Sequence, residues 1–382
     1  EFEQAVAKKV QAKHGVAVNS ATSALHLACR ALHVGPGDRV WISPITFVAS
    51  ANCALYCGAD VDFVDIDPHT YNMSIQALEA KLADAERAGT LPKVVIPVHM
   101  CGQSCEMQAI GDLARRYGFS VIEDASHAIG GRYRGEPVGS CRYSDITVFS
   151  FHPVKIITTT EGGMAVTHNQ ALADTMRLLR SHGITRELSE SGKRRAVSLE
   201  REAQMNSWHA ASNSMLHAPC SMPFYYEQID LGYNYRMTER QLERLDAFVA
   251  RRHELARRYD HMLADLPITT PWQHAEAYSA LHLYPIRLHL DKLTVSRKEV
   301  FDNLREQGTG VNVHYIPVHT QPHYRDLGFE TGMFPEAEKY YQESISLPLF
   351  PAMTEQEQDQ VVETLKAVIR HPVSGFRRLK NL

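Results

Sequence analysis

The 382-residue sequence lacks the spacings that most often announce a metal centre. It has neither a Cys-x-x-Cys nor a His-Glu-x-x-His, despite 7 cysteines and 20 histidines. The cysteines of "NCALYC" and "HMCGQSC" stand four apart, so no metal site is expected. No Gly-x-Gly-x-x-Gly follows an apolar run, and "GGRYRG" has the wrong spacing, which argues against a dinucleotide-binding turn. Neither sign of charge dominates. With 40 Lys and Arg against 44 Asp and Glu, the net charge of -4 gives no electrostatic reason to expect nucleic acid or an anionic membrane. Long apolar runs are also scarce. "VWISPITFVASANCALYCGA" is uncharged throughout, but Pro44, Asn52 and several hydroxyls interrupt it, so it reads as a strand and a buried helix rather than a membrane span. No signal peptide is evident. An odd number of scattered cysteines predicts reduced thiols and a cytoplasmic setting.

What is present is alternation. "TSALHLACRAL", "FVASANCALYC", "SIQALEAKLADAERAG", "EMQAIGDLARRYG" and "ALADTMRLLRSHG" have helical patterns. "DRVWISP", "DVDFVDID", "KVVIPVHM", "SVIEDA", "DITVFSF" and "GGMAVT" read as strands. Such alternation predicts an α/β fold: a mostly parallel central sheet sandwiched by helices. Length predicts two domains, a large α/β domain over 1–235 and a smaller C-terminal α+β domain over 236–382. Residues 186–222 break the rhythm and read as a polar surface excursion. The basic run "ARRHELARR" reads as the solvated face of a helix.

Ligands of open α/β sheets sit beyond the carboxyl ends of the strands. Asp124, Thr46 and Phe47, and the set Ser150, His152 and Lys155 all follow apolar strands. Lys155 stands in "SFHPVKIITTTEGG", a stretch with almost no other charge. Its side chain either snorkels to water, or holds an amine desolvated enough to form a Schiff base with a carbonyl cofactor. "NSATSALHLA" opens a helix with hydroxyls and free amides, which serves either as a plain N-cap or as a phosphate seat. Together the pieces match the needs of pyridoxal 5'-phosphate. Its phosphate takes a helix N-terminus, its aldehyde a lysine, its ring nitrogen a carboxylate, and its face an aromatic.

These residues carry a resemblance over nearly the whole chain. "NSATSALHLA", "PITFVASANCALYCGADVDFVDID", "VIEDASHAIGG", "SFHPVKIITTTEGG", "LGYNYRMTE", "VNVHYIPVH" and "LPLFPAMTEQE" resemble the DegT/StrS-type sugar-nucleotide aminotransferases. The resemblance implies a fold-type I pyridoxal phosphate enzyme, a homodimer with shared active sites. By that likeness Lys155 is the Schiff-base lysine, Asp124 the partner of the pyridine nitrogen and His127 a ring contact. Ala21, Thr22 and Ser150 correspond to phosphate positions, Phe47 to the stacking aromatic and Asn234 to a phosphate contact from the neighbouring subunit. His314 corresponds to a sugar-nucleotide contact, with Thr46 and His152 also expected on the substrate side. "SFHPVK" followed by "EGG" is most similar to the enzymes of pseudaminic acid biosynthesis. That likeness implies transfer of the amino group of glutamate to C4 of a UDP-linked 4-keto-6-deoxy-N-acetylhexosamine. The rival readings are an aminotransferase for a 3-keto or dTDP-linked sugar, a dehydratase, against which Lys155 argues, and a non-catalytic regulatory relative. By the same likeness, the sequence is expected to lack the segment that usually precedes "EFEQAVAKKV" and part of the helix that usually follows "NYRMT".

Overall fold

A computed structural model describes residues 1–185, 227–228 and 242–370. The expected excursion over 186–222 lies outside the described residues, as does Asn234. The main sheet contains β1 (His14–Val18), β2 (Arg39–Ile42), β3 (Asp60–Phe63), β4 (Val94–Ile96), β5 (Ser120–Asp124), β6 (Ile146–Ser150) and β7 (Gly163–Thr167). Their order is β1-β7-β6-β5-β4-β2-β3. The block β3-β2-β4-β5-β6 is parallel, with Asp124 opposite Val148, while β7 runs antiparallel to both β6 and β1. The inner strands "VVI" and "ITVFS" are buried at every position, as expected of a sheet covered on both faces. β1 is not evident in the sequence. "HGVAV" is short and contains a glycine, and pairing with β7 is what makes it a strand.

Helices α1 (Phe2–Lys9), α2 (Ala21–Ala31), α3 (Ala49–Tyr56), α4 (Ile75–Ala88), α5 (Met107–Tyr117) and α6 (Gln170–Arg180) flank this sheet. α2, α3 and α6 share one apolar cluster with Val40, Ile42, Ile122 and Val148, and α4 and α5 pack with Trp41, Val95 and Val121 on the other face. The ends of α4 obey local chemistry. Ser74 accepts from the Ala77 amide at its start, and Gly89 at φ 65° closes its end in the left-handed region. The uncharged run at 40–59 resolves into β2, a turn and α3. No described helix is long and apolar enough to cross a membrane.

Beyond residue 242 come α7 (Leu245–Leu263), β8 (Ile268–Thr269), β9 (Tyr284–Leu288), α8 (Arg297–Glu306), α9 (Pro335–Glu343), β10 (Ser344–Leu347) and α10 (Glu355–Arg370). β8, β9 and β10 form an antiparallel sheet whose core includes Tyr259, Ile286, Val300, Ile345 and Val362. Tyr324, Phe334 and Tyr340 pack instead into the core of the main sheet. α7 joins the two cores: Leu245 and Val249 sit with Phe149 and Phe151, whereas Leu255 and Tyr259 sit with the small sheet. Between them lies Arg252, only 4% exposed. The reading of "ARRHELARR" as a solvated face holds for Glu254 and Arg257, which are exposed, and is corrected at Arg252. Midway along α7, Arg252 points into the junction of two packed bodies, which helical periodicity alone does not reveal.

Candidate active site

A cleft of about 690 Å³ opens at the carboxyl ends of β5 and β6 and is closed on its far side by residues around 282, 314 and 349. Ala21, Thr22, Thr46, Phe47 and Asp124 line it, as do His127, Ser150, His152, Lys155 and His314. Every described residue singled out from the sequence therefore meets around one space, although they are spread over nearly three hundred positions.

The wall at α2 is set by two small residues. Ser20 is the N-cap, with Oγ accepting from the Ser23 amide, so the first helical amides, at Ala21 and Thr22, are left without an intrahelical acceptor. Gly163 makes this wall possible: a Cβ there would lie 2.4 Å from the Ala21 nitrogen and 2.5 Å from the Ser20 carbonyl oxygen. No real Cβ tolerates such contacts, so β7 supports the start of α2 only through glycine. The "EGG" element was recognised in the sequence by likeness, and the close approach supplies its physical reason.

The floor is a hydrogen-bonded chain ending at Asp124. Its Oδ1 accepts from the Ser126 amide at 3.1 Å, and its Oδ2 accepts from Ser50 Oγ at 2.6 Å. Ser50 Oγ also lies 2.8 Å from Thr46 Oγ1. Ser50 has one hydroxyl proton, and the carboxylate can only accept, so Thr46 donates to Ser50 and Ser50 donates to Asp124. Ser50 was not singled out from the sequence. It sits inside an apolar helix, where a serine carries no signal until its partner is known. Behind the floor, Glu123 points to the opposite face of β5 and meets His99 Nε2 at 2.7 Å and Thr147 Oγ1 at 3.1 Å.

Lys155 is held by its neighbours in the chain. Phe151, Ile156 and Ile157 are buried, the Lys155 amide donates to the His152 carbonyl at 2.9 Å, and the Thr159 amide returns to Phe151 at 3.0 Å. Burial lowers its pKa to about 8, against the pull of the Asp124 carboxylate, which raises it. Lys155 is partly buried and lines the cleft, so its amine faces the cleft rather than an open surface. His152 is exposed at the mouth, 3.8 Å from Glu161. Phe47 is 60% exposed, its ring 6.4 Å from that of Tyr315.

The far wall is rich in histidine. His127 Nε2 pairs with the Tyr315 hydroxyl at 3.1 Å, and its ring lies 4.5 Å from that of His282. His314 Nδ1 meets Ser346 Oγ at 2.9 Å, and its carbonyl accepts from the Tyr340 hydroxyl at 3.0 Å. Burial, reinforced by the nearby Lys155 ammonium, holds His127 and His282 well below the ordinary histidine range and lowers His314 to about 4. All three imidazoles are neutral at neutral pH. Nδ1 of His127 and of His282 is buried without a hydrogen-bond partner among the described residues. His319, by contrast, pairs with Glu338 at 2.9 Å and packs against Phe334, away from the cleft lining.

The donor set suits pyridoxal phosphate: free amides at a helix start, a hydrogen-bonded carboxylate, a desolvated primary amine and an exposed aromatic ring face one cleft. Among the described residues no group of His, Cys, Asp and Glu is arranged to hold a metal.

The chain is similar to known proteins over nearly its whole length. Residues 1–366 match the DegT/DnrJ/EryC1/StrS aminotransferase family. The spore coat polysaccharide biosynthesis protein SpsC of Bacillus subtilis (strain 168) is 37% identical over 380 residues, covering 97% of this chain and 89% of that protein. The structure of Helicobacter pylori PseC, an aminotransferase involved in the biosynthesis of pseudoaminic acid, superposes with a TM-score of 0.81 at 28% identity. That match covers 97% of this chain and 90% of the other. A DegT DnrJ EryC1 StrS aminotransferase from Brucella abortus gives a TM-score of 0.79 at 26% identity over 96% of this chain and 89% of its own.

Proposed function

The chain belongs to the DegT/DnrJ/EryC1/StrS aminotransferase family, whose aminotransferases depend on pyridoxal phosphate, and from that premise we propose its substrate and the roles of its residues. The reaction is transfer of the amino group of glutamate to C4 of a UDP-linked 4-keto-6-deoxy-N-acetylhexosamine. Likeness to PseC and to a polysaccharide biosynthesis protein supports this substrate class. The observation that carries the chemistry is the meeting of Lys155, Asp124 and the start of α2 around one cleft.

In this reading the Ala21 and Thr22 amides, with Ser150, would hold the phosphate, Phe47 and His127 would contact the ring, and Lys155 would hold the aldehyde. When bound, pyridoxal phosphate supplies a carbonyl that carries the amino group and a ring that takes up the electron pair left by a broken C–H bond. Asp124 would keep the ring nitrogen protonated, and the Thr46–Ser50 relay fixes the orientation of its carboxylate. Lys155 Nζ, with its pKa lowered to about 8, has an accessible neutral form. It takes the proton from the α-carbon of glutamate in the first half of the reaction and delivers one to C4 of the sugar in the second. His314 and His152 stand on the sugar side. Asn234 reaches a phosphate from a second copy of the chain, giving a homodimer with shared sites.

The decisive experiment is borohydride reduction followed by peptide mass spectrometry, with the pyridoxyl adduct expected on Lys155. An adduct on another lysine removes the assignment. Assay with glutamate and the UDP-ketosugar then tests the substrate by following 2-oxoglutarate. Faster turnover of a dTDP-linked or 3-keto sugar retains the family and overturns the substrate. Mixing Lys155→Ala with Asn234→Ala chains tests the shared site, because a mixed dimer restores one intact site.

A further inference from the structure

We infer that Arg252 receives a carboxylate of the amino donor, forming an anion subsite in the wall of the cleft opposite Asp124; this deepens the transamination reading and rests on it. Arg252 is 4% exposed and lines the cleft. Its described hydrogen bonds all leave from one terminal nitrogen. Nη1 donates to the carbonyls of Leu281 and His282 at 3.1 Å each and to that of Leu349 at 2.7 Å. Nε is buried with no hydrogen-bond partner among the described residues, and Nη2 makes none of the described bonds.

Three carbonyls satisfy one nitrogen but do not neutralise the charge. Arg252 forms no ion pair with a carboxylate among the described residues, whereas Arg258, six residues further along α7, pairs with Asp359. A buried guanidinium without a counter-ion is costly, and the Nε–Nη2 edge that remains is the one that takes a carboxylate side-on through two parallel bonds. Neighbouring groups do not compensate, because the three imidazoles of this wall are neutral. The cage of carbonyls orients the fork and leaves its other edge for a ligand. Both amino donor and 2-oxo acid product carry carboxylates, and among the described residues of this wall, which also include Asn312, Tyr315 and Ser346, Arg252 alone brings a positive charge to meet one.

The test uses the cofactor-loaded protein and glutarate, a dicarboxylate that cannot react, with binding read by calorimetry and by the visible band of the cofactor. Parental protein is expected to bind glutarate but not its uncharged diamide. Arg252→Met should weaken glutarate binding about 10- to 100-fold, the span of one charge-assisted contact, and Arg252→Lys should weaken it less. Affinity for uridine diphosphate should stay unchanged in both variants. Equal binding of glutarate and the diamide by the parental protein overturns the inference without recourse to any variant. So does an unchanged glutarate affinity in the two variants, or an equal loss of glutarate and uridine diphosphate, which marks a purely structural arginine. Failure of the transamination reading looks different: the reduced protein then carries no adduct on Lys155.

Discussion

The two sides of the cleft differ in how completely their polar groups are paired. On the sheet side, Asp124 has Ser50 and Ser126 as donors, Ser50 has Thr46, and Glu123 behind it has His99 and Thr147. On the opposite side, Nδ1 of His282 and Nε of Arg252 are buried and unpaired among the described residues, as is Nδ1 of His127, which follows β5 and faces them across the cleft. Both sides are dry. A paired buried network is rigid, while an unpaired buried donor or acceptor costs stability unless something else meets it. The sheet side is therefore built to hold one geometry, and the histidine side to exchange partners with what enters.

The largest expected effect tests the paired side. Asp124→Asn keeps the volume and loses the charge, so turnover should fall roughly 10²- to 10³-fold, comparable to deleting one preorganised electrostatic partner. Near-parental turnover would make Asp124 a structural carboxylate. Gly163→Ala attacks the same side through the backbone. With its Cβ 2.4 Å from the Ala21 nitrogen, it should displace the start of α2, cost about 1–3 kcal/mol in unfolding free energy and weaken cofactor binding. Retained cofactor affinity with unchanged stability would show that the close approach can relax freely.

Ser50→Ala sharpens the contrast. It leaves Thr46 without its acceptor and Asp124 short of one donor, and should cost about 1–3 kcal/mol in denaturant unfolding. The matching change across the cleft, His282→Phe, removes a nitrogen that has no described partner. It should shift stability by less than about 1 kcal/mol. If the two variants lose equal stability, the difference between the sides is not energetic.

The smallest effect is a titration. In protein stripped of cofactor, the Lys155 amine should react with an acylating reagent with a midpoint near pH 8, below the range of an exposed lysine. Asp124→Asn removes the charge that raises this pKa, so the midpoint should move lower still. The sign for stability follows from the same shift. Lys155 loses its proton earlier in the folded chain than in the unfolded one, so its contribution to stability rises with pH from about 8 toward the unfolded value and is absent below it. A midpoint in the ordinary lysine range would mean that the amine is solvated.

Much of this was legible in the sequence because the signals are local. Alternating apolar runs specify the parallel sheet, a serine ahead of "ATSALHLA" specifies the start of α2, and an isolated lysine after "DITVFSF" marks the end of a strand with unusual chemistry. Residues whose meaning depends on a distant partner were not legible. Ser50 acquires its role from Asp124, 74 positions away, and Arg252 from carbonyls at 281, 282 and 349. Neither has a periodicity that separates it from its neighbours: one reads as a small helix residue, the other as part of a charged face. The sequence by itself determined the alternation of strands and helices from α2 to α6, though not β1, and the residue types gathered at the strand ends. Only the tertiary structure decided which of those groups are paired and which are left open, because pairing is a through-space matter of a few ångströms between segments that the chain brings together last.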